Sequence, residues 1–248
     1  GGLMLDPTQS NQWANAVTDV SPDGRWVVSV HGDGWRLWEG GSARVAAHLS
    51  EAAFAVGFAE EGRALIAVGP QGVRRWPLET GTPANLAGLP RVGTPGARLE
   101  AGGELGEARA GCIAAGGRFA AVSDGKSVVV WEVDSGNRRV PFGNLLGGNL
   151  LDLSADGRWL AINRNGSTGP VLIDTATGQS QPFESGILSA ACQFDRYTGD
   201  LALWNSAEYA FLRTGTWERG AGKRWLPPVT QFPAALSIWQ PGRSGLLC

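Results

Sequence analysis

Lysine is almost missing from this 248-residue chain. Lys126 and Lys223 are the only two among 21 basic residues, and 23 acidic residues bring the net charge to −2. No stretch is strongly basic, which argues against a nucleic-acid footprint. No apolar run reaches about 18 residues, which argues against a membrane-spanning helix. The opening Gly1-Gly2-Leu3-Met4 lacks the charged and apolar regions of a signal peptide, so none is expected, and Gly1-Gly2 reads either as an appended remnant or as a cut from a longer polypeptide. The three cysteines, Cys112, Cys192 and Cys248, are odd in number and far apart. They are expected to be buried or free thiols in a reducing compartment rather than a disulfide framework, which points to the cytoplasm. The preference for Arg over Lys is a compositional hint of a bacterial source. Helical signals are also missing: no segment combines caps with a 3.6-residue apolar period.

What the chain does have is glycine (37), proline (14) and an excess of tryptophan, 11 copies against two Tyr and one Met. High Gly and Pro suit many short strands joined by tight turns. A residue recurring as often as Trp invites a search for internal repeats. The landmark is a four-residue turn ending in Gly. It occurs as Ser21-Pro22-Asp23-Gly24, Ala59-Glu60-Glu61-Gly62, Ala114-Ala115-Gly116-Gly117 and Ser154-Ala155-Asp156-Gly157. Weaker copies are Arg196-Tyr197-Thr198-Gly199 and Gln240-Pro241-Gly242. The marker glycines are 38, 55, 40, 42 and 43 residues apart. Four of these intervals fit a period of roughly 40–45 residues, that of a four-stranded propeller blade. The long one carries a Gly/Pro-rich insertion, roughly 83–106, whose composition predicts a flexible loop.

Asp-Gly between apolar runs is a hairpin signal, because Gly takes a positive φ without a Cβ clash. An alternating run precedes each turn and a β-branched-rich run follows, such as Arg25–Val30 or Ala64–Val68; both read as strands. A third run comes at fixed distance, with Trp38, Trp76 and Trp131 each 14 residues after their marker glycine. A second turn and a fourth strand complete the unit. Five units are predicted: 16–48, 53–88, 108–143, 148–184 and 187–226. The tail, 234–238 with 245–248, resembles first and second strands, and the head, 2–9, resembles a third. The expectation is therefore a single all-β domain over residues 1–248. It is a β-propeller of four-stranded antiparallel blades, six in number and closed by N- and C-terminal strands sharing one blade; seven blades are the alternative.

Ser21-Pro22-Asp23-Gly24-Arg25-Trp26-Val27-Val28-Ser29, followed by Asp33-Gly34-Trp35-Arg36-Leu37-Trp38-Glu39, resembles the middle and end of a WD repeat. The resemblance extends over nearly the whole chain and is specific in the turn and third strand. Blades of that family often hold a His–Asp–Ser/Thr–Trp hydrogen-bond network, and no unit here has all four. The first offers Ser29, Asp33 and Trp38, with Ser10 where the His would stand. The second has His48 and Trp76, with Ala67 and Gln71 replacing the partners. The resemblance implies that His48 is a relic of the structural His. It also implies a rigid platform for protein or peptide partners, of the kind appended to larger bacterial signalling or regulatory proteins, with further domains on the same polypeptide.

Catalytic signals are few. There is no Gly-x-Ser-x-Gly elbow, no metal-ligand spacing and no phosphate loop, so neither a metal nor a cofactor is expected. Asp19 and Asp152 occupy matching first-strand positions; they are expected as solvated channel polars, with cation binding as the alternative. The leading function is a non-catalytic interaction scaffold or sensor. The alternative is a six-bladed hydrolase, lactonase- or glycosidase-like, with a channel-lined site. Loops between second and third strands form the expected binding face: His31, Asp33, Gln71, Asp124, Lys126, Arg164, Asn165, Trp204 and Asn205. His31 is expected to be an exposed loop residue. The tryptophans in register are expected in the core; Trp13, Trp204, Trp217 and Trp225, which break register, are surface candidates.

Overall fold

The structure is a computed structural model that describes residues 18–79, 91–100, 102–143, 148–164, 170–181, 191–195, 198–204 and 209–218. Over these residues the chain is all-β, with two single-turn 3₁₀ segments, Glu60–Gly62 and Gly102–Glu104. Five antiparallel sheets follow one another along the sequence. The first holds β1 (Thr18–Val20), β2 (Trp26–His31), β3 (Gly34–Glu39) and β4 (Arg44–Leu49). The second holds β5 (Ala55–Ala59), β6 (Ala64–Gly69), β7 (Gly72–Glu79) and β8 (Arg91–Val92). The third holds β9 (Ala110–Ile113), β10 (Phe119–Ser123), β11 (Val128–Glu132) and β12 (Arg138–Phe142). The fourth holds β13 (Gly148–Leu153), β14 (Trp159–Arg164), β15 (Val171–Asp174) and β16 (Ser180–Gln181). The fifth holds β17 (Ala191–Phe194), β18 (Leu201–Trp204) and β19 (Tyr209–Leu212). Strand order within each sheet is sequence order, so each is a simple meander.

The predicted turns recur as a shared hydrogen-bond pattern. Ser21 Oγ donates to Asp23 Oδ1 at 2.6 Å and accepts from the Trp26 amide at 2.9 Å, while the Arg25 amide donates to Asp23 Oδ1 at 3.1 Å. Ser154, Asp156, Trp159 and Arg158 repeat these three bonds, in that order, at 2.6, 2.9 and 3.0 Å. Short polar side chains thus satisfy turn amides that no strand can reach. The turn glycine sits at positive φ, +71° at Gly24 and +64° at Gly157. In the second sheet Glu60 and Glu61 enter that region as well, at +50° and +56°, ahead of Gly62 at +90°, and Glu60 accepts a hydrogen bond from Arg75 Nε at 2.7 Å.

Alternation along the strands sends side chains to both faces of a sheet, and here both faces of the interior sheets are apolar. In the third sheet, Ala120, Val122, Val129 and Trp131 pack against Ala59, Ile66 and Val68 of the second. The intervening Phe119, Ala121, Val128 and Val130 pack against Leu153, Leu160, Ile162 and Ile173 of the fourth. Equivalent clusters join the first sheet to the second and the fourth to the fifth. The sheets therefore stack face to face, in sequence order, with one apolar seam between each pair.

Some expectations are revised. The fourth strand of the second unit, expected by residue 88, falls at β8. Beyond it the insertion is ordered as an outer rib along β7, with Gly93, Gly96 and Leu99 donating backbone bonds to Pro77, Arg75 and Val73. Backbone pairing with β7 overrides the flexibility that its Gly and Pro content predicts. The stretch spanning 83–90 lies outside the described residues, as do the head and tail expected to share a blade. Among the described residues no sheet closes into a ring. Trp217, expected at the surface, packs perpendicular to Trp159 with 4.9 Å between ring centres, an arrangement aromatic quadrupoles favour. Trp13 and Trp225 lie outside the described residues.

The turn glycines differ in what surrounds them. A Cβ on Gly157 would lie 2.3 Å from Phe119 Cγ, whereas one on Gly24 would meet nothing within 4 Å. Gly24→Ala is expected to cost about 1 kcal/mol, for the left-handed backbone alone. Gly157→Ala should cost about 3 kcal/mol, because overpacking is added. Urea unfolding midpoints of the two variants check this, and equal losses would mean that the Phe119 contact carries nothing.

Candidate functional site

The loops between second and third strands are short hairpins, and each ties down its polar residues differently. In the first sheet His31 is the last residue of β2 and is half-buried, not an exposed loop residue. Trp38 Nε1 donates to Ser29 Oγ at 2.7 Å, and Ser29 Oγ lies 2.7 Å from His31 Nε2. His31, two residues along the same strand, thus partners Ser29. Burial, then the Arg36 charge, lowers the His31 pKa below its ordinary value; Asp33 opposes them. The fold therefore favours neutral imidazole.

Asp33 is exposed. Its carboxylate pairs with Arg36 Nη2 at 2.6 Å and lies 3.6 Å from His48 Nε2. His48, expected as the structural His of the second unit, belongs instead to β4 of the first sheet, opposite Arg36. Its side chain is 39% exposed. It staples no buried network.

Gln71 sits exposed in the β6–β7 hairpin and accepts a hydrogen bond from Arg98 Nη1. Lys126 is exposed at the β10–β11 hairpin. Asp124 beside it is a turn-former: Oδ1 accepts from the amides of Lys126 and Ser127 at 2.8 and 2.7 Å, and Oδ2 from Gly106 at 2.9 Å. Burial raises its pKa, but these backbone bonds outweigh burial and hold it below the usual carboxylate value. Arg164 and Trp204 end β14 and β18, with backbone partners Gly148 and Tyr209; Asn165 and Asn205 lie outside the described residues. The structure thus gathers His31, Asp33, Arg36 and His48 at the first hairpin. Among the described residues, no hydrogen bond or ion pair links Asp33, Gln71 and Asp124.

Asp19 and Asp152 are half-buried, and each accepts a backbone amide of the next sheet. Asp19 Oδ2 accepts the Phe58 amide of β5 at 2.8 Å, and Asp152 Oδ2 accepts the Phe194 amide of β17 at 2.5 Å. Each carboxylate stitches its sheet to the next. Register places Asp19, Gly57, Cys112, Asp152 and Cys192 at one equivalent position across the five sheets, opposite Val28, Ile66, Ala121, Ala161 and Leu203. A Cβ at Gly57 would come within 3.2 Å of Asp19 Oδ2, so glycine there makes room for the carboxylate. Burial, then the Asp152 charge, pushes both the Cys112 and Cys192 thiols up. Among the described residues no group of three or more His, Cys, Asp or Glu side chains is placed to hold a metal ion.

An opening of about 590 Å³ lies at the seam of the first and second sheets. Leu49–Ala52, the hairpin Gly69–Gly72, and Arg74, Trp76 and Arg98 line it. Of these, the repeat pattern marks only Gln71 as a binding residue. Trp76 is in register for the core, and Arg98 lies in the insertion, whose path no local pattern reveals.

No family model matches the chain, and neither does any curated protein.

Two outcomes follow. His31 should titrate below about 6.5, the ordinary histidine value, in an NMR pH series. Its contribution to stability is complete above that value and is lost as the pH falls through the lowered one; a midpoint above 6.5 would contradict the burial. In a Cys248→Ser background, Cys112 and Cys192 should resist a thiol reagent at pH 8 while folded and react once urea unfolds the chain.

Proposed function

We propose that the chain is a WD-repeat-like β-propeller that binds a protein or peptide partner through its hairpin-loop face and does no chemistry of its own. The carrying observation is the repeat of one meander five times, which sets equivalent hairpins at the same end of each stacked sheet. Such stacking supports a ring of six blades, the sixth shared between head and tail, with seven as the alternative. Loops held by a rigid scaffold are suited to recognition, and Asp33, Gln71 and Lys126 present exposed polar groups there. The use of Asp19 and Asp152 as backbone acceptors favours binding over the hydrolase alternative, which needs acids free to face a substrate. Among the described residues no helix is long and apolar enough to cross a membrane. The proposed setting is a cytoplasmic regulatory protein of bacterial type, with this domain as its recognition module.

The test is affinity capture with this chain beside an Asp33→Ala, Gln71→Ala, Lys126→Ala variant. Captured proteins are identified by mass spectrometry, and both baits are checked by circular dichroism. A partner held by the parent and lost by the folded variant is the expected result. Equal capture by both would displace the site from these loops, and capture by neither would count against the platform.

A further inference from the structure

The chain has two histidines, and both meet at the first hairpin. Register sets Arg36 between Ser29 on one side and His48 on the other. His31 follows Ser29 by two residues, so all four side chains share one face of the first sheet. Asp33 brings its carboxylate to this group from the hairpin, 2.6 Å from Arg36 Nη2 and 3.6 Å from His48 Nε2.

Hydrogen-bond counting fixes the protonation state of His31. An indole N–H only donates, so Ser29 Oγ accepts from Trp38 Nε1 at 2.7 Å. Ser29 is 3% exposed, and among the described residues its hydroxyl meets one acceptor, His31 Nε2, at 2.7 Å. The serine proton therefore goes to that nitrogen, which must carry none of its own. The run of donors from Trp38 through Ser29 to His31 closes only while the imidazole is neutral. In imidazolium both ring nitrogens donate. His31 Nε2–H would then face Ser29 O–H, and one of the two protons would be buried without an acceptor, a costly arrangement.

Charge sets where the imidazolium goes. Burial, then the Arg36 charge, opposes protonation of His31; Asp33 favours it, and His48, when charged, opposes it. The one carboxylate of the group is Asp33, and its side chain is 55% exposed. Turning toward it takes the ring away from Ser29 and into water, which relieves the burial.

We propose that the first hairpin is an acid-operated switch: His31 holds Ser29 while neutral and, on taking a proton from solvent, leaves it for the Asp33 carboxylate. His48 takes up a proton on the same carboxylate. One cation against one carboxylate becomes three against one, and the hairpin turns into a cationic patch. Asp33 belongs to the loop face read above as a recognition surface, and there the switch makes docking pH-dependent; the device itself stands without a partner.

The experiment is an NMR pH series of the ¹⁵N-labelled chain, from about pH 8 to about pH 5, across the ordinary histidine range. It is read at the Trp38 indole N–H, assigned from Trp38→Phe, and at the His31 ring. The Trp38 signal is expected to move with the His31 midpoint, because Ser29 loses its acceptor, while the Trp131 and Trp159 indole signals stay. The Trp38 step should vanish in His31→Gln and remain in His48→Gln. Ser29→Ala is a second, independent break: His31 should still titrate, and Trp38 should no longer follow it. Asp33→Asn should move the His31 midpoint further down. A Trp38 signal that ignores the His31 titration, a step that survives His31→Gln, or a midpoint unmoved by Asp33→Asn overturns the switch. So does joint loss of all the indole signals, which is acid unfolding of the chain. The series needs no partner, so a failed capture leaves the switch standing, and a failed series leaves the platform standing.

Discussion

Burial of both faces of the interior sheets is the constraint on which the architecture depends. A lone four-stranded meander has one apolar face to hide; these have two. Ala120 and Val122 point one way from β10 while Phe119 and Ala121 point the other, so the third sheet needs a neighbour on each side. Stacking supplies it, and the small residues Ala64, Ala67, Ala120, Ala121 and Ala161, each 0–4% exposed, let the layers approach closely. A large side chain at any of them would push neighbouring sheets apart. The repeat is thus as much a repeat of side-chain size as of turn sequence.

Much of this was legible in the chain. Gly with Asp two residues after Ser announces the turn, because the turn needs a positive φ and two short acceptors, and all three are side-chain properties readable one residue at a time. Strand order followed from the short links between runs. The outer rib along 93–99 was not legible: its backbone bonds go to β7, and a sequence rich in Gly and Pro carries no mark of a partner more than ten residues away. His48 misled for a related reason, since spacing from the marker glycine suggested the second unit's structural His, while its place on β4 opposite Arg36 depends on strand pairing.

The candidate site shows the same division. Exposed hairpin residues such as Gln71 and Lys126 can be found by position in the repeat. The cavity cannot, because Glu51 comes from the link between sheets, Arg74 and Trp76 from β7, and Arg98 from the rib. Their meeting is a property of the seam, and only packing reveals it. Asp19 and Asp152 were found by position, but their role depends on the neighbouring strand: the same recurrence that suggested paired acids reflects a recurring need to satisfy the next sheet's backbone.

The four seams are not held alike. Asp19 stitches the first, Asp152 the last, and Arg139 reaches over the third, donating to Gly157 O at 2.6 Å with its guanidinium 4.8 Å from the Phe119 ring centre. The second seam is described by apolar contact: a Cβ on Gly117 would lie 2.4 Å from Ala59 Cβ, and one on Gly111 2.4 Å from Val68 Cγ1. Apolar burial weakens on cooling. Cooling is therefore expected to loosen the boundary between the second and third sheets more than the other three.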